Sequence, residues 1–396
     1  MIPFGGHPAD VELHRDVRDT ADRLRWRTGA DQCQWNGTID VHPVEDHDGD
    51  PAGLGKAHWN GTLSLREDVL RALRNLWLRS PRVWSIEDRE RQRPGVLTVA
   101  HELVHYLVPV GKQYSVGKPF YDEFPGRALE EGSTELAGRK HVGAFAGAEA
   151  RSPGVTDARN ARSYPQFVPA VQALIRYVSE LRGDDEEAVL NALVRENVPG
   201  KFRRLGQMVL EARGTWEQIP SAERDGACAE VINAAWGALQ ANADWAAPKP
   251  RYRPTQAPLE RSWIMGLQLI AAIERARLHV VDRHAVSGAE IPWQIAAAQY
   301  ERYVARRAVE FAQSSKHPDV HAAADALLRR ADQRTQNPWQ EPESERSRPA
   351  HGTHQAGPEA ATVPSLAESP RAPRSRRPPS FGVRRRPGPP DRGRDR

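Results

Sequence analysis

Apolar residues near the N-terminus fall at Val11, Leu13, Val17, Ala21 and Leu24, a helical spacing that predicts a first helix up to about residue 30. The period then changes. QWNGTIDVHPV (34–44) sets Ile39, Val41 and Val44 against Thr38, Asp40 and His42; HWNGTLSLREDV (58–69) sets Leu63 and Leu65 against Thr62 and Ser64. Such alternation marks strands, and the two segments, which share WNGT, are expected side by side in one sheet. Between them EDHDGDPAGLG is a turn-rich loop whose acidic residues do not match calcium-loop spacing. From Arg66 helical spacing returns (Val69, Leu70, Leu73, Leu76, Trp77) until Pro81. EDRERQRPG then reads as a charged linker. Pro94-Gly95 reads as the start of a helix carrying Val96, Leu97, Ala100, Leu103, Val104 and Leu107, closed by Pro109. A Gly-, Pro- and Tyr-containing loop (109–127) leads to another helical segment, ALEEGSTELAGRKHVGAFAG.

Past about residue 155 every patterned segment is helical, from YPQFVPAVQALIRYVSELRG to WQIAAAQYERYVARRAVEFAQ, and no strand signal is visible. From residue 337 the chain is rich in Pro, Arg, Ser and Gly and too poor in apolar residues to offset its ordering entropy. The fold class expected is α+β. A small N-terminal domain with a short sheet and helices spans 1–155, a helical domain or second lobe spans 156–335, and a disordered tail spans 336–396.

Composition narrows the chemistry. Two cysteines, Cys33 and Cys228, exclude a disulfide framework and a cysteine-rich metal site, so any metal must be held by His and carboxylates. The first residues carry no basic stretch followed by an apolar run, and no run approaches the ~18 residues that span a bilayer. A cytoplasmic protein without a membrane span is expected. The net charge is +4, but residues 337–396 hold twelve Arg against seven Asp and Glu, which leaves the rest near −1. The body has no basic field for nucleic acid; the Arg-rich tail is a candidate for weak phosphate or anionic-surface contact.

HELVH, in the apolar helix expected after Pro94, is the motif with chemistry. His101 and His105 lie one turn apart on one face and can reach one ion, while Glu102 sits about 100° round, placed to reach a water on that ion. Zinc with two His and one carboxylate keeps an open position and lowers the pKa of its water to roughly 7; a neighbouring carboxylate can take the proton. Burying His–Glu–His without an ion is costly, which weighs against a merely structural pair. The helical segment LEEGSTELAGR offers the third ligand. Glu131 and Glu135 share a face; Glu131 can reach the metal and Glu135 can accept from the free ring N–H of a ligand histidine. Glu130 is a rival ligand. A transition state at zinc also needs a second donor, for which Arg139, His141 and Tyr121 are candidates.

HELVH followed by E-x-x-x-E on the next helix resembles the gluzincin metallopeptidases, the thermolysin-like clan. The resemblance covers roughly residues 55–145. It implies a zincin-like fold, a peptide or protein substrate, His101, His105 and Glu131 as zinc ligands, Glu102 as general base and Glu135 as a brace. It also implies an edge strand at Gly61, Thr62 and Leu63 that pairs with the extended substrate. The chain departs from the pattern at Glu130, where those enzymes carry Asn. The alternative is a catalytically inactive zincin-like phage or mobile-element protein, structural or regulatory, acting through its helices and basic tail.

Overall fold

The computed structural model describes residues 5–44, 53–78, 85–157, 164–243, 256–284 and 291–339. Most of the tail, residues 340–396, and the acidic stretch 45–50 lie outside them.

The first helix, α1 (Asp10–Thr28), buries Leu13, Val17, Ala21 and Leu24, whereas Val11 faces solvent. β1 (Gln32–Cys33), β2 (Ile39–His42), β3 (Gly55–Ala57) and β4 (Leu63–Arg66) follow. The two WNGT segments form matched turns. Asn36 Oδ1 accepts from Thr38 N–H and Asn60 Oδ1 from Thr62 N–H, at 2.8 and 3.0 Å. Gly37 and Gly61 take positive φ (84° and 89°), as Asx turns of this kind demand. The turns are tied together by Asn36 Nδ2, which donates to the Asn60 carbonyl and Thr62 Oγ1. They launch β2 and β4 in parallel, Ile39 opposite Leu63. The expected pairing of these two segments is therefore present.

The sheet order is β2-β4-β3, with β3 antiparallel to β4. This corrects one expectation. Leu63 pairs with Ile39 on one side and Ala57 on the other, so Gly61, Thr62 and Leu63 are not an open edge; Gly61 and Thr62 belong to the turn entering the central strand. The edge beside the HELVH helix is β3.

α2 (Glu67–Leu78) is as expected, with Val69, Leu70, Leu73, Leu76 and Trp77 buried. α3 (Ile86–His105) is not: it includes the supposed charged linker. Ser85 and Asp88 form a capping box that starts the helix well before Pro94. Arg89 and Arg93 then anchor the charged turns on the carbonyls of Pro153 and Gly154. Pro94 lies inside the helix, which continues past it. At the other end Tyr106 caps α3, and Leu107 enters β5 (Leu107–Val108), paired antiparallel with β1.

α4 (Lys118–Asp122) lies in the Gly-, Pro- and Tyr-containing stretch and leads into α5 (Phe124–His141) and α6 (Ala146–Arg151). The remaining helices are α7 (Val168–Arg182), α8 (Glu186–Val194), α9 (Val198–Glu211), α10 (Thr215–Gln218), α11 (Arg224–Gln240), α12 (Gln256–His284), α13 (Trp293–Ala312) and α14 (Pro318–Gln336). α7 and α9 pack on α5, α12 packs on α7, and α13 and α14 pack on α12 and on each other. One continuous apolar core runs from Ala9 to Val280, so packing does not break near residue 155. The helices after 155 share that core and pack on α5 through α7, α8, α9 and α11. A smaller cluster lies where α12 meets α13 and α14. The molecule is mostly helical with a small sheet, in agreement with the α+β expectation. No helix among the described residues is long and apolar enough to cross a membrane.

Candidate metal centre

α3 supplies His101, Glu102 and His105; α5 supplies Glu130, Glu131 and Glu135. The two helices cross closely because Gly138 on α5 has no side chain. A Cβ there would stand 3.2 Å from the Cα of His101. At that separation the glutamates of α5 reach the histidines of α3.

The hydrogen-bond pattern assigns the tautomers. His101 Nδ1 lies 2.9 Å from Glu135 Oε2, and His105 Nδ1 lies 2.7 Å from Glu130 Oε1. A carboxylate only accepts, so each Nδ1 carries the proton and donates. Each Nε2 of a neutral ring then presents a lone pair. These two nitrogens are 3.1 Å apart, and Glu131 Oε2 lies 3.2 Å from His101 Nε2 and 3.6 Å from His105 Nε2. Three lone pairs converge with no donor among them, on side chains of which 3–6% is exposed. Such a group requires a cation, whether protons on the rings or a metal. Tetrahedral zinc with bonds of about 2.0–2.1 Å sets its ligand atoms about 3.4 Å apart, close to the separations found. Charge points the same way. Four buried carboxylates (Glu102, Glu130, Glu131, Glu135) face two cations, Lys201 at 2.9 Å from Glu130 and Arg139 at 2.8 Å from Glu135. The deficit of two equals the charge of one divalent ion, or of two protonated imidazoles when no ion is bound.

Electrostatics follow from this packing. Burial opposes protonation of His105, but the charge of Glu131 and the bonds from Glu130 and Glu131 outweigh it and raise its pKa to about 9. In His101 burial is likewise outweighed, by Glu131 and Glu135. Burial of Glu131 is overcome by the histidines, which hold it well below the usual carboxylate range. Glu102 differs: burial raises its pKa, and the nearby histidines only partly offset this.

Glu102 has its own setting. Its carboxylate and the two imidazoles place ligand-type atoms within 4.8 Å of one another. It accepts from the N–H of Ala57 on β3. In the β3–β4 ladder Arg66 N–H bonds Leu54 O and His58 N–H bonds Thr62 O, so Gly55 and Ala57 turn their backbone groups to the open side. Gly55 gives Glu102 its room: a Cβ there would lie 2.5 Å from Thr98 Cγ2 and 3.0 Å from Glu102 Cγ, so something would have to shift.

Two tyrosines complete the centre. Tyr121 donates its hydroxyl to Glu131 Oε1. Tyr164 stacks on His101, ring centroids 5.1 Å apart and planes 9° off parallel, with its hydroxyl also bonded to Glu131. Its φ of 50° is the only positive value on a non-glycine residue among those described, a strained conformation of the sort held at functional sites.

The structure thus brings together His101, Glu102, His105, Glu131, Glu135 and Tyr121. It does not bring in the other two candidate donors. Arg139 stands behind Glu135, and His141 bonds Asn191 Oδ1 at 3.0 Å, away from the cluster. Glu130 is turned to other partners: Oε1 accepts from His105 Nδ1, and Oε2 lies 2.9 Å from the Lys201 ammonium as an ion pair. Tyr164, Lys201, Gly55 and Ala57 were missed. Only Lys201 left a trace, as a lone cation on the apolar stripe Val198, Phe202, Leu205, Met208, Val209.

No family model, no curated protein and no solved structure matches the chain. The arrangement of side chains is therefore what any functional reading has to stand on.

Proposed function

We propose that the chain is a zinc-dependent metallopeptidase, with His101, His105 and Glu131 as ligands and Glu102 as general base. The observation that carries this reading is the convergence of three ligand-type atoms, His101 Nε2, His105 Nε2 and Glu131 Oε2, each histidine braced by its own carboxylate, with a fourth, unbraced carboxylate beside them. The gluzincin resemblance of HELVH and E-x-x-x-E supports it.

Zinc held there supplies Lewis acidity, which acidifies a water and polarises a peptide carbonyl. Glu102, whose pKa burial raises, is suited to take the proton from that water and pass it to the leaving amine. Tyr121 and Tyr164 present phenols at the same centre and are the candidate donors to the developing oxyanion. An extended peptide can add to the open side of β3 through the backbone of Gly55 and the carbonyl of Ala57, whose N–H is held by Glu102; β3 then replaces Gly61–Leu63 as the substrate strand.

A second reading, a metal-stabilised core without peptidase activity, draws on one observation: His101, Glu102, His105 and Glu131 are each at most 6% exposed. Two variants separate the readings. Glu131→Ala should lose the roughly one zinc per chain expected by elemental analysis of the parent. Glu102→Gln should keep zinc and lose peptide hydrolysis by about 10²–10⁴-fold. A metal-loaded Glu102→Gln protein as active as the parent rejects Glu102 as base; a parent that hydrolyses none of a peptide library favours the second reading.

A further inference from the structure

Lys201 is 1% exposed, among the most completely buried large side chains of the molecule. A buried ammonium is costly unless paired, and a hydrophobic residue of similar size in its place would ordinarily be as stable or more so. Lys201 sits on the apolar stripe of α9, where such a residue would fit. Its ammonium lies 2.9 Å from Glu130 Oε2 and donates to the Glu196 carbonyl at 3.0 Å. Glu130 in turn receives His105 Nδ1–H at 2.7 Å. A chain therefore runs Lys201–Glu130–His105 to the centre of the cluster. A matching chain runs Arg139–Glu135–His101, but its cation is on α5 itself and is partly open to solvent. Only the first chain reaches a helix beyond residue 155, α9.

Glu130 directly precedes the ligand Glu131 and lies within reach of the same histidine. Its Oε1 accepts from His105, while its Oε2 has no hydrogen bond of its own and is compensated by the charge of Lys201 alone. Without the ammonium, Glu130 would be a buried carboxylate whose remaining source of positive charge is the centre itself.

We propose that Lys201 is the positioning residue of the metal centre: from α9 it holds Glu130 as the acceptor of His105 and keeps that carboxylate off the ion. The proposal rests on the zinc site assigned above. It makes α9 part of the metal centre, since α9 supplies the cation that completes the His105 brace.

The test uses the full chain and two readouts: zinc affinity by competition with a chromophoric chelator, and the visible spectrum of the Co²⁺-substituted protein, which reports coordination number. In Lys201→Met zinc affinity should fall by about 10–100-fold, and the intense four-coordinate Co²⁺ bands should weaken as Glu130 joins the ion. The double variant Glu130→Gln/Lys201→Met removes both buried charges yet leaves an amide oxygen to accept from His105. It should recover most of the affinity and the four-coordinate spectrum, and it decides the matter even if Lys201→Met alone does not fold. A Lys201→Met protein with unchanged affinity and spectrum overturns the proposal, as does a double variant that binds zinc poorly. A parent that binds no zinc rejects the underlying site instead, and the two failures are told apart by the parent alone.

Discussion

Glu102 and Gly55 show how one side chain, or its absence, sets the centre. Glu102 has no Lys or Arg partner among the described residues, unlike Glu130 and Glu135, and burial raises its pKa where those of the other three carboxylates are lowered. Gly55 decides where that carboxylate stands. Gly55→Ala places a methyl 2.5 Å from Thr98 Cγ2 and 3.0 Å from Glu102 Cγ, well inside contact distance. Helix α3 is a core helix and will not yield easily, so β3 and the Glu102 side chain must move. Overpacking of this kind costs about 1–3 kcal/mol. Gly55→Ala should lower the melting temperature modestly and peptidase activity strongly, while zinc content holds, because none of the three ligands touches Gly55. Equal activity in the parent and a folded, zinc-loaded Gly55→Ala protein would dismiss β3 as the partner of Glu102.

At the scale of elements the crossing of α3 and α5 matters most. Gly138 sits at the crossing, and an added Cβ would stand 3.2–3.3 Å from the backbone of His101. Two effects compete in Gly138→Ala. Helix propensity favours alanine by about 1 kcal/mol, while pushing α5 outward by a few tenths of an ångström costs a similar amount. Stability should change little, but the displacement passes directly to Glu131 and Glu135. Zinc affinity should therefore fall several-fold, read by chelator competition; an affinity equal to the parent's would mean that the crossing distance does not set the site. The same crossing shows what was legible beforehand. HELVH and E-x-x-x-E announced the two faces, because helical spacing alone puts His101 with His105 and Glu131 with Glu135. The WNGT pair announced two neighbouring strands for a similar local reason. The order of the sheet was not legible: β3 is three residues long and lies by a loop, and its place at the edge depends on pairing distant in sequence. The start of α3 was hidden by Pro94, which read as a helix opening although the capping box at Ser85 and Asp88 lay in plain view. Tyr164 and Lys201 reach the centre only through tertiary packing of α7 and α9 on α5.

For the whole molecule, the centre ties stability to pH in opposite directions with and without metal. In metal-free protein His105 has a pKa of about 9 against an ordinary 6.5, and His101 is shifted the same way. The folded state then holds protons that the unfolded state has released between those values. A raised histidine pKa contributes stability that is fully present below about 6.5 and is lost as pH rises through about 9. Each such proton contributes a slope of about 1.4 kcal/mol per pH unit in that window. Glu102, also raised, acts in the same sense. Zinc reverses the trend. It needs both Nε2 atoms free of protons, so its affinity rises with pH across the same window, and with it the stabilisation of the folded state at fixed free zinc. Melting temperatures recorded from pH 6.5 to 8.5 should fall in excess chelator and rise, relative to that baseline, with zinc buffered at a constant free concentration. The gap between the two curves should widen steadily toward alkaline pH and vanish in Glu131→Ala. Parallel curves would mean that protons and metal do not compete for the lone pairs of His101 and His105, and the cluster would then be a proton-filled core and not a metal centre.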